Sequence, residues 1–407
     1  MATVALIGTL DTKGTEYAWL ADRVRSHGAE VLTIDVGPLS DAAADVTPAE
    51  VATAGGHDLA QLREAGDRGA AMDAMADGAA VVLLGLFEEG KVDGALALGG
   101  SGGSAVASRA MRALPVGVPK LLVSTMAAGD VAPYVGESDV TMMYSVVDVA
   151  GINSVSAQVF GNAAAAIAAM AGAEETRRHQ GDGEHKPLVG LSMFGLTTPA
   201  VDEARAELTE LGYEALVFHA TGAGGRAMEK LATDGRLAGV LDLTTTELAD
   251  DLVGGVLSAG PYRLEAAGAA GIPQVVSLGA LDMVNFGPRE LVPERFDDRT
   301  FVVHNPTVTL MRTTVEENAT LGERIGAKLA AATGPTAVVL PLGGLSGIDT
   351  DGQPFHDTEA DRALFDALRA ALAGSRVQII DSAANINDPG FGRDAARRLH
   401  ALITDAH

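Results

Sequence analysis

Four sequence blocks recur in the same order in the two halves of the chain, and this recurrence constrains the fold more than any other feature. VALIGTLDTKG (4–14) has a counterpart in VGLSMFGLTTP (189–199), and RSHGAEVLTIDVG (25–37) in ELGYEALVFHATG (210–222). VDGALALGG (92–100) matches LAGVLDLTT (237–245), and GVPKLLVS (117–124) matches GIPQVVSLG (271–279). Each block centres on a short apolar run closed by small or hydroxylated residues, as a strand buried on both faces reads. After the first run, Tyr17, Leu20 and Val24 fall at helical spacing and Gly28 stops the pattern. Strand, helix and strand joined by short connections make a βαβ unit, and so a parallel sheet. The expected fold is α/β: two Rossmann-like doubly wound lobes with parallel sheets, related by internal duplication.

The first lobe is expected over 1–175, a polar Gly- and Pro-containing linker over 176–187, and the second lobe over 188–407. Residues 37–71 read as an insertion with short helices. Helices are expected from about Arg68 to Leu84, Ala105 to Leu114 and Asn153 to Ala173. Strands are expected at Asp93–Leu98, Lys120–Ser124 and Val140–Val147. The tail adds a helix near 316–332, a strand at 337–341, a helix near 359–373, a strand at 377–381 and a last helix.

Composition narrows the function classes. Apolar residues make up 47% of 407, enough for a large core, and the net charge is −25. That charge argues against a general nucleic-acid binder, which needs a basic face, and against docking on anionic lipid. Zero cysteines exclude disulfides, thiolate metal sites and cysteine nucleophiles. The Ala-rich run Val159–Ala173 is too short to span a bilayer and Asn162 interrupts it, so no membrane segment is expected. The N-terminus opens into a strand without a charged region before it, so a cytoplasmic protein is expected.

Ligands of open α/β sheets sit beyond the carboxyl ends of the strands, so the loops there hold the candidate residues. Gly8-Thr9-Leu10-Asp11-Thr12-Lys13-Gly14 brings two hydroxyls, a carboxylate and a cation to a helix start, where backbone N–H groups favour an anion. It is not a P-loop, because G-x-x-x-x-G-K-[ST] is absent. Gly99-Gly100-Ser101-Gly102-Gly103-Ser104 lets backbone approach a ligand closely and can cradle phosphate. The same string satisfies G-x-S-x-G, which would make Ser101 a nucleophile. Ser124 and Thr125 follow the next strand and can border the same site. In the second lobe His304, Asn305, Arg312 and Asp242 stand with hydroxyl-rich loops near strand ends, as in a polar small-molecule cleft. The acidic turn Asp349-Thr350-Asp351-Gly352 lacks calcium-loop spacing, and no H-E-x-x-H occurs, so no metal site is expected.

GTLDTKG, ALGGSGGS, HNPTVTLMRTT (304–314), GPTAVVLPLGGLSGIDTDGQPFHD (334–357) and EADRALFDALR (359–369) together resemble one family of bacterial, archaeal and plant proteins. It includes the ATP-binding N-terminal region of the tomato mosaic virus resistance protein. The resemblance covers essentially the whole chain and implies two Rossmann-like lobes, ATP in the first lobe with magnesium beside it, and a homodimer. Carried onto this sequence, it places nucleotide on Thr9, Asp11, Thr12 and Lys13 and on Gly100, Ser101, Gly102 and Gly103, with Arg68 as a further cation. The plant protein blocks viral replication by binding a viral replication protein, a target a bacterial member has no reason to share. It also carries a barrel domain resembling a phosphoenolpyruvate hydrolase. Carried over, that domain is expected on a separate phosphoenolpyruvate-hydrolase-like partner protein.

Three functions remain open at this level. One is an ATP-binding protein that regulates or assists a metabolic reaction. The second is a small-molecule enzyme, an ATP-dependent transferase or a carbon–carbon lyase or hydrolase, with its active site in the second lobe and the interlobe cleft. The third is a serine hydrolase at Ser101, which needs a base within hydrogen-bond reach.

Overall fold

The computed structural model describes residues 1–180 and 185–406. It divides into two compact units, Met1–Glu184 and His185–His407. Residues 176–180 of the expected linker instead continue a helix that runs to Gln180. That segment, AEETRRHQ at its end, has no residue that stops a helix before Gly181. Residues 181–184 and His407 lie outside the described residues.

The first unit runs β1 (Thr3–Gly8), α1 (Leu10–Ser26), β2 (Glu30–Asp35), α2 (Pro48–Ala54), α3 (Leu59–Ala65), α4 (Arg68–Glu88), β3 (Gly94–Gly99), α5 (Ser101–Ala113), β4 (Lys120–Ser124), α6 (Ala132–Val135), β5 (Thr141–Tyr144) and α7 (Ser154–Gln180). The strands form one parallel sheet in the order β2-β1-β3-β4-β5. Successive side chains of a strand point to opposite faces, and both faces are buried here. Val4, Leu6, Leu96 and Leu98 pack with Tyr17, Leu20, Phe160 and Ile167 of α1 and α7. Ala5, Ile7, Ala95 and Ala97 pack with Val51, Met75, Leu83, Val106 and Met111 of α2, α4 and α5. The sheet is therefore doubly wound.

Small residues let these layers approach. A Cβ on Gly78 would sit 1.9 Å from the carbonyl oxygen of Val51, so α2 rests directly on the backbone of α4. The same Ala/Gly content makes α4 and α7 apolar along their length. Contrary to the sequence expectation, both are long and apolar enough by composition to cross a membrane, with mean hydropathies of 1.6 and 1.3. Their Ala71, Met75 and Leu83, and Phe160, Ala164 and Ile167, are buried within this unit.

The second unit runs β6 (Leu188–Met193), α8 (Thr198–Glu210), β7 (Glu214–His219), α9 (Ala223–Thr233), β8 (Gly239–Thr244), α10 (Glu247–Val253), α11 (Ala266–Ala269), β9 (Gln274–Gly279), β10 (Met283–Phe286), β11 (Phe301–Asn305), β12 (Val308–Arg312), α12 (Val315–Ala330), β13 (Thr336–Pro341), α13 (Thr358–Ala371), β14 (Gln378–Ser382) and α14 (Phe391–Asp405). Its parallel sheet has the order β14-β13-β9-β8-β6-β7. Read from the opposite edge, β7-β6-β8-β9 takes the places of β2-β1-β3-β4. The four matched sequence blocks thus occupy corresponding positions in the two sheets. A second, antiparallel sheet, β10-β12-β11, was not expected from the sequence. It absorbs HNPTVTLMR as a hairpin whose turn is pinned where Asn305 Oδ1 accepts from the Thr307 N–H at 2.9 Å.

Candidate functional site

β1 and β3 are neighbours in the first sheet, yet α1 packs on one face and α5 on the other. Chains diverging this way open a crevice beyond the strand ends. The β1–β3 ladder stops at Ile7 and Ala97. Tyr17 of α1 takes the next rung: its hydroxyl accepts from the Leu98 N–H at 2.8 Å and meets the carbonyls of Leu98 (2.9 Å) and Ile7. Burial pushes the Tyr17 phenol above its ordinary range, so it stays protonated and able to donate. Gly8 is glycine for the same reason, since a Cβ there would lie 2.0 Å from the Tyr17 ring.

The β1–α1 loop is tied down from the side. Asp35, buried at the end of β2, accepts from the Leu10 N–H at 3.1 Å and the Gly37 N–H at 2.9 Å. Burial raises the pKa of this carboxyl. Thr9 and Thr12 share a hydroxyl contact of 3.0 Å. Lys13 departs from helical geometry (φ −131°, ψ 20°), which kinks the first turn of α1. Arg63 pins the β2 loop by donating to the carbonyls of Pro38 (2.6 Å) and Ser40 (2.8 Å).

Between these loops lies a cavity of about 370 Å³. Small-molecule sites commonly reach that size. Thr9, Asp11, Thr12, Lys13, Arg68, Gly100, Ser101, Gly102 and Gly103 all line it. Its apolar wall, which sequence reasoning missed, comes from Pro38, Leu39, Leu62, Met72 and Leu98. These residues converge from separate elements, and nothing in their local sequence marks them. Asp35 did carry a signal: an acidic residue ending the second strand of a Rossmann-like unit is a known pattern.

The electrostatics favour an anion. Gly100 caps α5 without any side-chain bond, and the Ser101, Gly102 and Gly103 N–H groups have no acceptor among the described residues. Neither Lys13 nor Arg68 has a carboxylate partner among the described residues. Lys13 of α1 and Arg68 of α4 line the same cavity as the α5 N–H groups, in a chain of net charge −25. Ser124 and Thr125 do not line the cavity. The Ser124 hydroxyl instead bonds the Ser104 hydroxyl at 2.6 Å and accepts from the Met126 N–H at 2.9 Å. Thr125 Oγ1 lies 4.0 Å from a Cβ built on Gly100. Among the described residues no histidine lines the cavity beside Ser101.

The second unit does not gather its candidates. Asp242 is buried against Arg263, which reaches it with Nη1 at 2.5 Å and Nη2 at 2.7 Å. Arg312, the last residue of β12, is buried with its guanidinium on the Phe355 carbonyl (2.7 Å) and Asp361 (2.6 Å). His304 is exposed on β11. The Arg312 N–H pairs with Thr300, four residues from His304, so the two are separated by roughly 13 Å of extended strand. Asn305 serves the hairpin turn. Where the first unit has Gly-Gly-Ser-Gly-Gly, the second has buried Thr244, Thr245, Thr246 and Glu247. Glu247 accepts from the Gly222 (2.6 Å) and Gly225 (3.1 Å) N–H groups and from Arg263 (2.6 Å). This carboxylate occupies the start of α9 as a bound anion would.

Fold and site together define a two-unit, doubly wound α/β protein with an anion-favouring cavity at the strand crossover of its first unit. The chain belongs to the uncharacterised protein family UPF0261, whose N-terminal domain matches residues 2–176 and whose C-terminal domain matches 186–403. A UPF0261 protein of Clostridium tetani is 50% identical over 97% of this chain and 98% of its own length. Another, from Rhizobium meliloti, is 46% identical over 97% and 98%. The tomato (Solanum lycopersicum) ToMV resistance protein Tm-1 is 40% identical over 95% of this chain, which spans 54% of the tomato protein. A solved Streptomyces glycosyltransferase, SsfS6 with thymidine diphosphate, covers 100% of this chain and 96% of its own at 13% identity, with a TM-score of only 0.16. The fold therefore rests on the strand order.

Proposed function

We propose that the first unit binds ATP in the cavity between the β1–α1 and β3–α5 loops. The observation that carries this is the pairing of two uncommitted cations, Lys13 and Arg68, with the uncapped N–H groups of Ser101, Gly102 and Gly103 around one cavity. The apolar wall of Pro38, Leu39, Leu62 and Met72 suits a base, and Thr9, Thr12 and Asp11 suit ribose or phosphate oxygens. Magnesium enters with the phosphates, and Asp11 and Asp67 are the carboxylates lining the cavity. In the same proposal the chain is a cytoplasmic homodimer that regulates or assists a metabolic reaction, as the family resemblance implies.

Calorimetric titration of stripped protein with ATP, with and without magnesium, tests the reading. Saturable binding of one ATP per chain is expected. A charge-assisted phosphate contact contributes about 1.5–3 kcal/mol, so Lys13→Ala should weaken binding by roughly 10- to 150-fold. Absence of binding at millimolar ATP, or an unchanged Kd in the variant, would overturn the assignment.

A further inference from the structure

Two arginines of the second unit each face three acidic side chains, and the difference between them is informative. Around Arg263 every carboxylate is satisfied. Glu229 accepts from the Leu264, Glu265 and Ala266 N–H groups, Glu247 from Gly222 and Gly225, and Asp242 from the Ser192 hydroxyl. These three anions are held by dipoles as well as by the guanidinium.

The Arg312 cluster is built differently. Arg312 Nη2 lies 2.6 Å from Asp361 on α13 and 3.8 Å from Asp349 Oδ1 on the segment after β13. Asp282, just before β10, completes the group, and all four residues are buried. Asp349 Oδ2 accepts from the Leu345 N–H, and Asp282 Oδ2 from the Ser346 hydroxyl, both at 2.8 Å. Asp349 Oδ1 and Asp282 Oδ1 have no hydrogen-bond partner among the described residues although both are buried. The remaining neighbours do not balance the charge. His356 faces Asp349 from an exposed position, and Asp357 spends its carboxylate capping α13 through the Glu359 and Ala360 N–H groups. Glu317 of α12 is already matched by Arg299, whose guanidinium also meets the Arg312 carbonyl. Asn318 and Thr313 are neutral. Three carboxylates against one guanidinium leave two uncompensated charges in a dry core, which folding cannot sustain.

We propose that this cluster is a proton-operated fastening: a proton shared between Asp349 and Asp361 holds the segment 342–357 against α13 and β12, and loss of that proton loosens it. A carboxyl–carboxylate pair needs only the proton, and it gives the unpartnered Asp349 oxygen a donor. Burial and the neighbouring carboxylates act in the same direction on these groups. Asp282 is pushed up to about 7 and Asp361 up to about 8, and Asp349 is raised too, chiefly by burial.

The sign follows from linkage. The closed segment binds a proton that the opened segment, with carboxyls near 4, releases. Opening therefore becomes easier as pH rises from about 4 to about 8, by up to tenfold per pH unit for each proton, and levels off above. Hydrogen exchange of the full chain at pH 5.5, 6.5, 7.5 and 9, corrected for intrinsic rates, reads this directly. Protection of amides in 342–357 should fall by about tenfold per unit up to pH 8, while β1 amides stay constant. Asp361→Asn and Asp349→Asn replace a protonated acid by an amide, and each should remove about one logarithmic unit of that slope. Equal wild-type protection at pH 5.5 and 9, or the full slope in both variants, would overturn the proposal. If the variants do not fold, residue-assigned carboxyl-carbon NMR of the wild type decides: Asp361 titrating near 8 supports it, and Asp361 titrating in the ordinary carboxylate range refutes it.

Discussion

Tyr17→Phe removes one oxygen atom, and the structure says where the loss falls. The hydroxyl accepts from the Leu98 N–H and donates to a carbonyl at the point where the β1–β3 ladder has ended. Leu98 is 3% exposed and Ile7 fully buried, so water does not replace the bond. A buried group left without a partner costs about 1–3 kcal/mol, and here one donor and one acceptor are stranded, so about 2–6 kcal/mol is expected. Phenylalanine keeps the ring and its packing, so cavity formation adds little. Urea unfolding of the two proteins, followed by a probe within the first unit, measures the effect. With m of about 2 kcal/mol per molar, the midpoint should drop by roughly 1–3 M. Because Leu98 and Gly99 also line the cavity, ATP affinity should fall in the same variant. A midpoint shift below about 0.2 M would refute the reasoning, since the hydroxyl would then be contributing nothing that solvent could not supply.

Arg263→Met leaves the Asp242 and Glu247 carboxylates buried without their cation, and equilibrium unfolding should show the second unit destabilised by at least about 3–5 kcal/mol. Thr314→Ala removes half of a capping box on α12, where Thr314 accepts from the Glu317 N–H and Glu317 from the Thr314 N–H, and should cost about 1 kcal/mol by the same measurement. His304→Ala changes an exposed residue of β11, so stability should move by less than about 0.5 kcal/mol and ATP titration should give the wild-type affinity.

The sequence announced the parts of the fold that depend on neighbours along the chain. Lys120–Ser124 is a strand with the expected ends because it is an apolar run bounded by turn chemistry. Helix ends were less legible: α5 begins at Ser101 rather than Ala105, since glycine propensity argues against helix while sheet packing imposes it. The glycine and lysine loops could be read because strand-end loops carry recognisable residues. The apolar wall of the cavity, the Tyr17 rung and the Arg263 network could not, because each joins residues tens of positions apart. The antiparallel sheet was hidden for another reason. In HNPTVTLMRTT the polar residues suggested a site, whereas Asn305 and Pro306 are making a turn.

The carboxylate of Glu247 at the start of α9 has a thermodynamic consequence. Any ligand that binds only the native state raises the stability of the unit it occupies by RT ln(1 + [L]/Kd). The second unit already holds its anion covalently, at an effective concentration no added solute can match, so its melting should not respond to added ATP. In the first unit no side-chain carboxylate among the described residues accepts from the α5 amides or pairs with Lys13, and its melting should report ligand concentration. In a calorimetric scan with increasing ATP, the transition carrying β1–β5 should therefore climb while the one carrying the second sheet stays where it is.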